Sequence, residues 1–243
     1  MRRVTRGKGV VLGVLGGVAL LAALALSTTA SAIVGGAPDT THGFVGAAIQ
    51  PQVQNGQQGM QLCSGFMISA THFVTAAHCF DPNGAPILVT FDQGLVPPPV
   101  GSFVPAVVTA THDDVAVLTL LVGSQPAWAA LPAPGASASA SAVDVVGYGV
   151  EGFDPHKSPT AFGMRKIVTT PVKSAGKLAD QFLKLLAGPG ACFGDSGGPN
   201  FVSGTSTVVA ITSGGSKNCN GVSYAERIDT PDMLAFLASF TTS

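Results

Sequence analysis

Short apolar runs, each bounded by Gly, Pro, Asn or Asp, recur along most of this chain of 243 residues. The chain contains 31 Gly and 17 Pro, a composition that suits many short strands joined by tight turns. The pattern predicts strands at 43–49, 60–68, 72–79, 87–91, 103–110, 114–120, 143–150, 165–172, 207–213 and 222–228. We therefore expect an all-β fold.

Three segments break this pattern. Residues 131–142 are rich in Ala, Ser and Pro and are the best candidate for a flexible connection between two strand-rich halves. Residues 177–187 have apolar side chains at helical spacing, but 182–186 are equally consistent with a strand, so this segment stays open. At the end of the chain, Thr230 can cap a helix and Pro231 suits its first turn, and an apolar stripe at helical spacing follows. The sequence predicts a C-terminal helix there.

The first 32 residues have the three parts of a secretory signal peptide. Four basic residues lie within the first eight positions, residues 10–26 are apolar and uncharged, and Ala-Ser-Ala at 30–32 forms a small-residue cleavage site. We therefore predict a signal peptide at 1–32 and a secreted, extracellular protein. An uncleaved membrane anchor is the alternative, because an apolar run of 17 residues reaches the lower limit of a membrane span, about 17–25 residues.

The charge balance excludes one class of function. Without the four basic residues of the signal, 8 Lys and Arg remain against 13 Asp and Glu, which argues against a nucleic-acid-binding protein. The 211 residues beyond residue 32 suffice for one large all-β domain or two small barrels. All four Cys lie in this exported part, so we expect disulfides.

Residues 194–199, Gly-Asp-Ser-Gly-Gly-Pro, predict a reactive serine. Glycines on both sides of Ser196 allow a tight backbone path that exposes the Oγ and points main-chain N–H groups at a developing oxyanion. A serine is a poor nucleophile without a base. The Thr-Ala-Ala-His-Cys motif at 75–79 provides a candidate for that base, His78. Asp114 opens an Asp-Val-Ala-Val-Leu-Thr-Leu run and can hold His78 in the required tautomer.

These three motifs, in this order and preceded by Ile-Val-Gly-Gly at 33–36, resemble the trypsin/chymotrypsin-like serine proteases. The resemblance covers essentially the whole chain beyond residue 32. It implies a chymotrypsin-like fold of two antiparallel six-stranded β-barrels with a C-terminal helix. We expect the N-terminal barrel at 33–135 and the C-terminal barrel and helix at 136–243.

The resemblance also implies a catalytic triad for a serine endopeptidase. Ser196 would attack the carbonyl, His78 would take and return the proton, and Asp114 would orient the imidazole. Asp113 is the rival for this last role, but in the family the aspartate directly precedes the apolar run, which favours Asp114. The backbone N–H groups of Gly194 and Ser196 would form the oxyanion hole.

Further roles follow from the same resemblance. Ser213 matches the serine that hydrogen-bonds the triad aspartate, and it also borders the substrate pocket. The implied disulfides are Cys63–Cys79, beside His78, and Cys192–Cys219, beside the pocket. The implied positions of the substrate pocket are Gly190, Ser213, Gly215 and Val222. Because the base of the pocket carries Gly190 rather than an acid, we expect an apolar P1 residue, small or medium before aromatic.

In the family, a freed Ile amine folds inward and pairs with the aspartate before the catalytic serine, here Ile33 with Asp195. No residue separates the Ala-Ser-Ala site from Ile33. We therefore expect that removal of the signal peptide is itself the activating cut. Cleavage after Ala30 instead would leave a short extension.

Protein or peptide substrates, and proteinaceous inhibitors, are the partners that the resemblance implies, for a monomer without nucleic acid or stable membrane association. We expect no cofactor. His112 beside Asp113 and Asp114 could be a metal cluster, but no paired ligands at metal spacing support it, so we expect no metal. The alternatives to an endopeptidase are a non-catalytic binding protein on the same fold and an enzyme acting chiefly on esters.

Overall fold

The computed structural model describes residues 33–54, 56–95, 102–123, 125–153, 159, 161–186 and 190–241. The predicted signal peptide lies outside the described residues. The strands are β1 (Ala37–Pro38), β2 (Val45–Gln54), β3 (Gln57–Met67), β4 (His72–Ala76), β5 (Ile87–Thr90), β6 (Val104–His112), β7 (Val115–Leu120), β8 (Ala142–Gly147), β9 (Lys166–Lys173), β10 (Phe182–Leu185), β11 (Pro199–Val202), β12 (Val208–Gly215) and β13 (Ser223–Arg227). Helix α1 spans Pro231–Ala238.

The first barrel closes six antiparallel strands in the order β2-β3-β4-β7-β6-β5. Strand β7 is apolar at nearly every position because both of its faces are covered, and Val117 and Leu118 are fully buried. The aromatic rings of Phe66 and Phe73 fill the interior. Strand β3 is buried only in its second half, so its first half projects beyond the barrel.

The second barrel closes in the same way. Its strands follow the order β9-β10-β13-β12-β11-β8, and β8 also pairs with β9 to complete the ring. The short strand β1 adds to β9 from outside, with Ala37 opposite Ile167. Strands β2–β7 therefore all precede residue 135 and β8–β13 all follow it, and β1 fastens the start of the described chain to the second barrel. This is the predicted fold of two six-stranded antiparallel barrels and one C-terminal helix.

The structure resolves the three irregular segments. The segment left open forms a 3-10 turn at Gly176–Leu178 followed by strand β10, so its apolar residues alternate across a sheet. The predicted flexible connection is anchored instead, because Ser137 N donates a 2.7 Å hydrogen bond to the buried Asp229. The C-terminal helix is confirmed, with Thr230 Oγ1 accepting from Met233 N at 3.3 Å.

Within the described residues, no helix is both long enough and apolar enough to cross a bilayer.

Candidate active site

A cavity of about 540 Å³ lies where the two barrels meet. The first barrel contributes Met60, Gln61, Leu62 and His78 to its wall. The second barrel contributes the remaining lining residues, which are Val150, Phe162, Ala191, Cys192, Phe193, Gly194, Ser196, Thr212, Ser213, Gly214, Gly215, Ser216 and Cys219. His78 and Ser196, more than a hundred positions apart in sequence, therefore face the same space.

His78 sits in a 3-10 turn at Ala77–Cys79, where strand β4 ends. Two links hold this turn. Ala77 N donates a 2.8 Å hydrogen bond to Asp114 O, and the Cys63–Cys79 disulfide ties the turn to β3. The backbone that carries His78 is thus held by a hydrogen bond on one side and by a covalent cross-link on the other.

The carboxylate of Asp114 contacts the imidazole of His78. The His78 Nδ1 atom lies 2.9 Å from each carboxylate oxygen of Asp114, and His78 N donates to Oδ1 at 3.0 Å. Ser213 Oγ donates to Oδ2 at 2.6 Å. The neighbouring Asp113 is more than half exposed and lies 4.0 Å from His112 rather than against His78. The structure therefore places Asp114, not its rival, behind the imidazole.

The electrostatics of this pair favour its charged form. The hydrogen bond that His78 donates to Asp114 raises the pKa of His78 above its ordinary value of 6.5, although partial burial opposes this. Burial alone would raise the pKa of Asp114, but the hydrogen bonds from His78 and Ser213 outweigh it and hold that pKa below 3.8. Asp114 is therefore a carboxylate at neutral pH, and it stabilises an imidazolium.

The loop of Ser196 has the backbone that its glycines predict. Gly194 and Gly197 both have positive φ, at 94° and 79°. Gly197 N donates to Thr212 O at 2.7 Å, which fastens the loop to β12. Among the described residues Ser196 Oγ makes no hydrogen bond. Such bonds are often long in unliganded sites and shorten when substrate binds.

Ser64, which the sequence analysis missed, joins the Ser196 loop to the first barrel. Its Oγ donates to Gly194 O at 2.8 Å and accepts from Tyr148 N at 2.9 Å, and its N–H donates to Ser196 O at 2.9 Å. Ser64 is fully buried. Nothing but its place next to Cys63 could have pointed to this role, because its partners lie 84 and 130 positions away.

Asp195 and Ile33 both lie in the interior, where each is fully buried. The Asp195 carboxylate accepts from Gly149 N and Cys192 N, both at 2.8 Å. The described residues place no cationic side chain in an ion pair with it, and burial raises its pKa to about 7. The chain after Ile33 runs beside the Asp195 loop, because Val34 and Gly190 exchange backbone hydrogen bonds of 3.2 and 3.1 Å.

The structure brings only some of the predicted pocket residues to the cavity. Ser213 and Gly215 line it, whereas Gly190 and Val222 are not among the described lining residues. The backbone of Gly190 instead pairs with Val34, and Val222 O accepts from Ser216 N. In the described part of the chain no Asp or Glu lines the cavity, so nothing there offsets a buried cation.

Glu226 is a second residue that sequence reasoning missed. It lies on β13, is 1% exposed, and its Oε2 accepts from Asp114 N at 3.2 Å. Its other oxygen is buried without a hydrogen-bond partner among the described residues. Burial, and then the negative charge of Asp114, raise its pKa to about 7. No local motif marks this glutamate, since β13 reaches Asp114 only through the fold.

Two disulfides, Cys63–Cys79 and Cys192–Cys219, confirm the pairings that the resemblance implied, and no cysteine of the chain remains free. The second bridge lines the cavity. His112, considered above as a metal ligand, instead contacts helix α1 through a 2.9 Å hydrogen bond between Nε2 and Asp232. Among the described residues no three His, Cys, Asp or Glu side chains are grouped to hold a metal ion.

Comparison with known proteins agrees with this geometry. The family model described as Trypsin matches residues 33–231. The fold is similar to the solved structure of GrC, with a TM-score of 0.68 and 17% identity over 87% of this chain and 100% of that one. It is similar to HL collagenase, with a TM-score of 0.66 and 17% identity over the same shares.

The structure of HBP gives a TM-score of 0.67 and 19% identity over 87% of this chain and 97% of that one. No curated protein matches the chain significantly in sequence. Identities this low show the fold alone, whereas the family model spans most of the chain. The chain therefore belongs to the trypsin family of serine proteases and has the chymotrypsin-like fold.

Proposed function

We propose that this protein is a secreted serine endopeptidase that cleaves peptide bonds through an acyl-enzyme. The observation that carries the proposal is the chain of hydrogen bonds from Ser213 through Asp114 to His78, with His78 and Ser196 facing one cavity. Family membership supports the reaction class. None of the three proposed triad residues is replaced in this sequence, which disfavours a non-catalytic binding protein.

In the proposed mechanism, Ser196 Oγ attacks the substrate carbonyl while His78 Nε2 takes its proton. The imidazolium that forms is stabilised by Asp114, whose two oxygens both lie 2.9 Å from Nδ1. His78 then gives the proton to the leaving amine, which departs. Water enters, His78 deprotonates it, and the acyl-enzyme is hydrolysed to release Ser196.

The backbone N–H groups of Gly194 and Ser196 are the proposed oxyanion hole. The carbonyl of Phe193 accepts from Val150 N at 2.7 Å. Because a trans peptide bond directs the next N–H opposite to that carbonyl, the Gly194 N–H points away from Val150. Ser64 holds Gly194 O at 2.8 Å, and Asp195 O accepts from Gly198 N at 2.9 Å, which fixes the peptide that carries the Ser196 N–H. Both N–H groups are thus held in place before any substrate binds.

We also propose that removal of residues 1–32 activates the enzyme. The cut would free the Ile33 amine, and the buried carboxylate of Asp195, which lacks a cationic side chain among the described residues, is the group it would neutralise. The bridge between Val34 and Gly190 already lies beside the Asp195 loop. Secretion and activation would then share one cleavage.

Substrate preference follows from the cavity wall. Its described lining is apolar or uncharged apart from His78, so the proposed P1 residue is apolar. A lysine or arginine there would lose its hydration without gaining a counter-ion. The open entrance at Gly214 and Gly215 admits a medium side chain. Protein and peptide chains are the proposed substrates.

The intact mass of the secreted protein after reaction with a fluorophosphonate tests this proposal. We expect a chain that begins at Ile33 and carries one adduct, and no adduct on Ser196→Ala. A chain beginning at Ile33 without an adduct would favour the non-catalytic alternative. A longer chain without an adduct would mean that a second protease is needed. Comparing peptide and ester substrates would then separate an endopeptidase from an esterase.

A further inference from the structure

Glu226 is a buried acid directly behind the proposed triad, on the side away from the substrate. Its Oε2 lies 3.2 Å from Asp114 N, and Asp114 in turn contacts His78. The register of β13 fixes this position, because Glu226 pairs with Ile211 of β12 and with Phe182 of β10. Glu226 is 1% exposed, so its carboxyl is shielded from solvent.

The surroundings of Glu226 do not neutralise a charge there. The acidic neighbours are Asp114 and the more exposed Asp113, and both disfavour its ionisation. The next residue, Arg227, directs its guanidinium to Asp229 at 2.8 Å instead. The polar contacts with Gln181 and with the Asp114 N–H offset burial only in part.

The paired positions on the flanking strands, Ile211 and Phe182, bring no charge to Glu226. Its Oε1 is buried without a hydrogen-bond partner among the described residues. An ionised carboxylate would leave that oxygen unsolvated, which costs free energy. A protonated carboxyl is therefore the form that this site tolerates best, and Glu226 ionises only at a higher pH than an exposed glutamate.

We propose that Glu226 is a positioning residue for the triad: its carboxyl holds the Asp114 backbone, and its charge state alters the proton affinity of His78. The inference rests on the proposed function. When Glu226 is ionised, a second negative charge stands behind Asp114 and favours the imidazolium of His78. When Glu226 is neutral, His78 gives up its proton more readily and can act as a base.

Glu226→Gln separates the two parts of this role. The amide keeps a carbonyl oxygen for the Asp114 N–H and cannot ionise. Removing the charge should lower the pKa of His78 by roughly 0.5 to 1 unit, as expected for a charge pair in a partly solvated protein environment. Relative to its own high-pH plateau, fluorophosphonate labelling of the variant should be up to about 3-fold faster near neutral pH, where wild-type Glu226 is partly ionised. The two proteins should label alike at low pH, where the side chain at position 226 is neutral in both.

The matched control is Asp113→Asn, the same chemical change one residue from Asp114 at a more exposed side chain. Asn tolerates the positive φ of 49° at this position. Because solvent screens Asp113, we expect a smaller shift than for Glu226→Gln. Equal shifts in the two variants, or no shift for Glu226→Gln, would overturn the proposal.

Nuclear magnetic resonance tests the proposal without activity. The chain has only two glutamates, Glu151 and Glu226, so carboxyl-labelled glutamate gives two signals that Glu226→Gln assigns. We expect the Glu226 signal to titrate near neutral pH and the His78 ring protons to titrate at lower pH in the variant. Glu151→Gln assigns the same two signals by elimination, so titration of Glu226 below pH 5 would overturn the proposal even if Glu226→Gln failed to fold. A wild-type protein that shows both titrations but never reacts with fluorophosphonate would refute the proposed function alone.

Discussion

The carboxylate of Asp195 lies directly over Gly149, whose N–H donates to its Oδ1 at 2.8 Å. A Cβ at position 149 would stand 2.6 Å from Cγ of Asp195 and 2.7 Å from Phe193 O. Atoms do not approach so closely, so a side chain there would displace the aspartate next to the proposed nucleophile. The Gly-Tyr-Gly segment at 147–149 is therefore shaped by Asp195.

Gly149→Ala should lower both stability and activity. Overpacking of this kind costs about 1–3 kcal/mol, and the displaced Asp195 loop carries Gly194 and Ser196. The matched control is Gly43→Ala, where an added Cβ meets nothing within 4 Å. The free energy of unfolding, measured by chemical denaturation, and the rate of fluorophosphonate labelling should both fall for the first variant only. Equal behaviour of the two variants would contradict the close contact.

Ser64→Ala tests the link between the barrels. The substitution leaves the half-buried Gly194 O and the buried Tyr148 N without their side-chain partner, and an unsatisfied buried group costs about 1–3 kcal/mol. We expect a loss of stability of about 2 kcal/mol or more and slower acylation, because Gly194 is no longer held. The control Ser139→Ala alters an exposed hydroxyl and should change stability by less than about 0.5 kcal/mol. Normal acylation by a destabilised Ser64→Ala would limit Ser64 to a structural role.

The fold was largely predictable because its determinants are local. Apolar runs closed by Gly and Pro place most strands within a few residues, and Thr230 and Pro231 mark the helix. The sequence did not decide between a helix and a strand at 177–187, because apolar residues at helical spacing overlap a short run that also suits a strand. The connection at 131–142 has the composition of a linker, yet hydrogen bonds from Gly135 N and Ser137 N to Asp229 anchor it.

The site was predictable where a motif surrounds the residue. Local sequence motifs point to His78 and Ser196. The residues that hold them in position come from distant parts of the chain and are brought there by the fold. Ser64 and Glu226 lie in ordinary strand sequence, and only the pairing of β3 and β13 with their neighbours brings them to the site. The backbone bridge between Gly190 and Val34 is equally non-local, and no motif in the sequence indicates it.

Asp114→Asn should combine a large loss of rate with a shifted pH profile. The amide favours the wrong tautomer of His78, and the corresponding change in serine proteases with this triad lowers kcat by about 10⁴-fold. Activity requires neutral His78, so it rises with pH through the folded-state pKa, which Asp114 holds above 6.5. Without that carboxylate, the residual kcat/KM should rise at lower pH. An unchanged acid limb would show that Asp114 does not set the pKa of His78.

Peptide p-nitroanilides that differ only at P1 test the pocket. Substrates with an apolar P1 residue should have kcat/KM values at least about 100-fold above those with P1 Arg or Lys, because the described wall offers no counter-ion. Within the apolar series, we expect Ala, Val or Leu to exceed Phe. A preference for Arg would mean that a residue beyond the described lining supplies an acid.

The pH dependence of stability tests the activating cut. Burial raises the pKa of Asp195 to about 7, whereas the unfolded chain ionises near 3.8. The folded state then holds an extra proton between these values, so the free energy of unfolding should fall as pH rises through that window. We expect this fall in a chain that begins at Ala30, because the Ile33 nitrogen there is an uncharged peptide group.

A chain that begins at Ile33 should lose this fall, because its free amine stabilises the carboxylate and lowers the pKa of Asp195. Asp195→Asn should therefore change the free energy of unfolding in opposite directions in the two chains. At pH 8 it should stabilise the longer chain. It should destabilise the shorter chain, because in that chain it leaves the buried amine without its counter-charge. Urea unfolding of the four proteins between pH 4 and 8 measures both effects, with the exposed Asp232→Asn as the control. The same sign in both chains would show that the Ile33 amine does not reach Asp195, and activation by the signal-peptide cut would then need another cause.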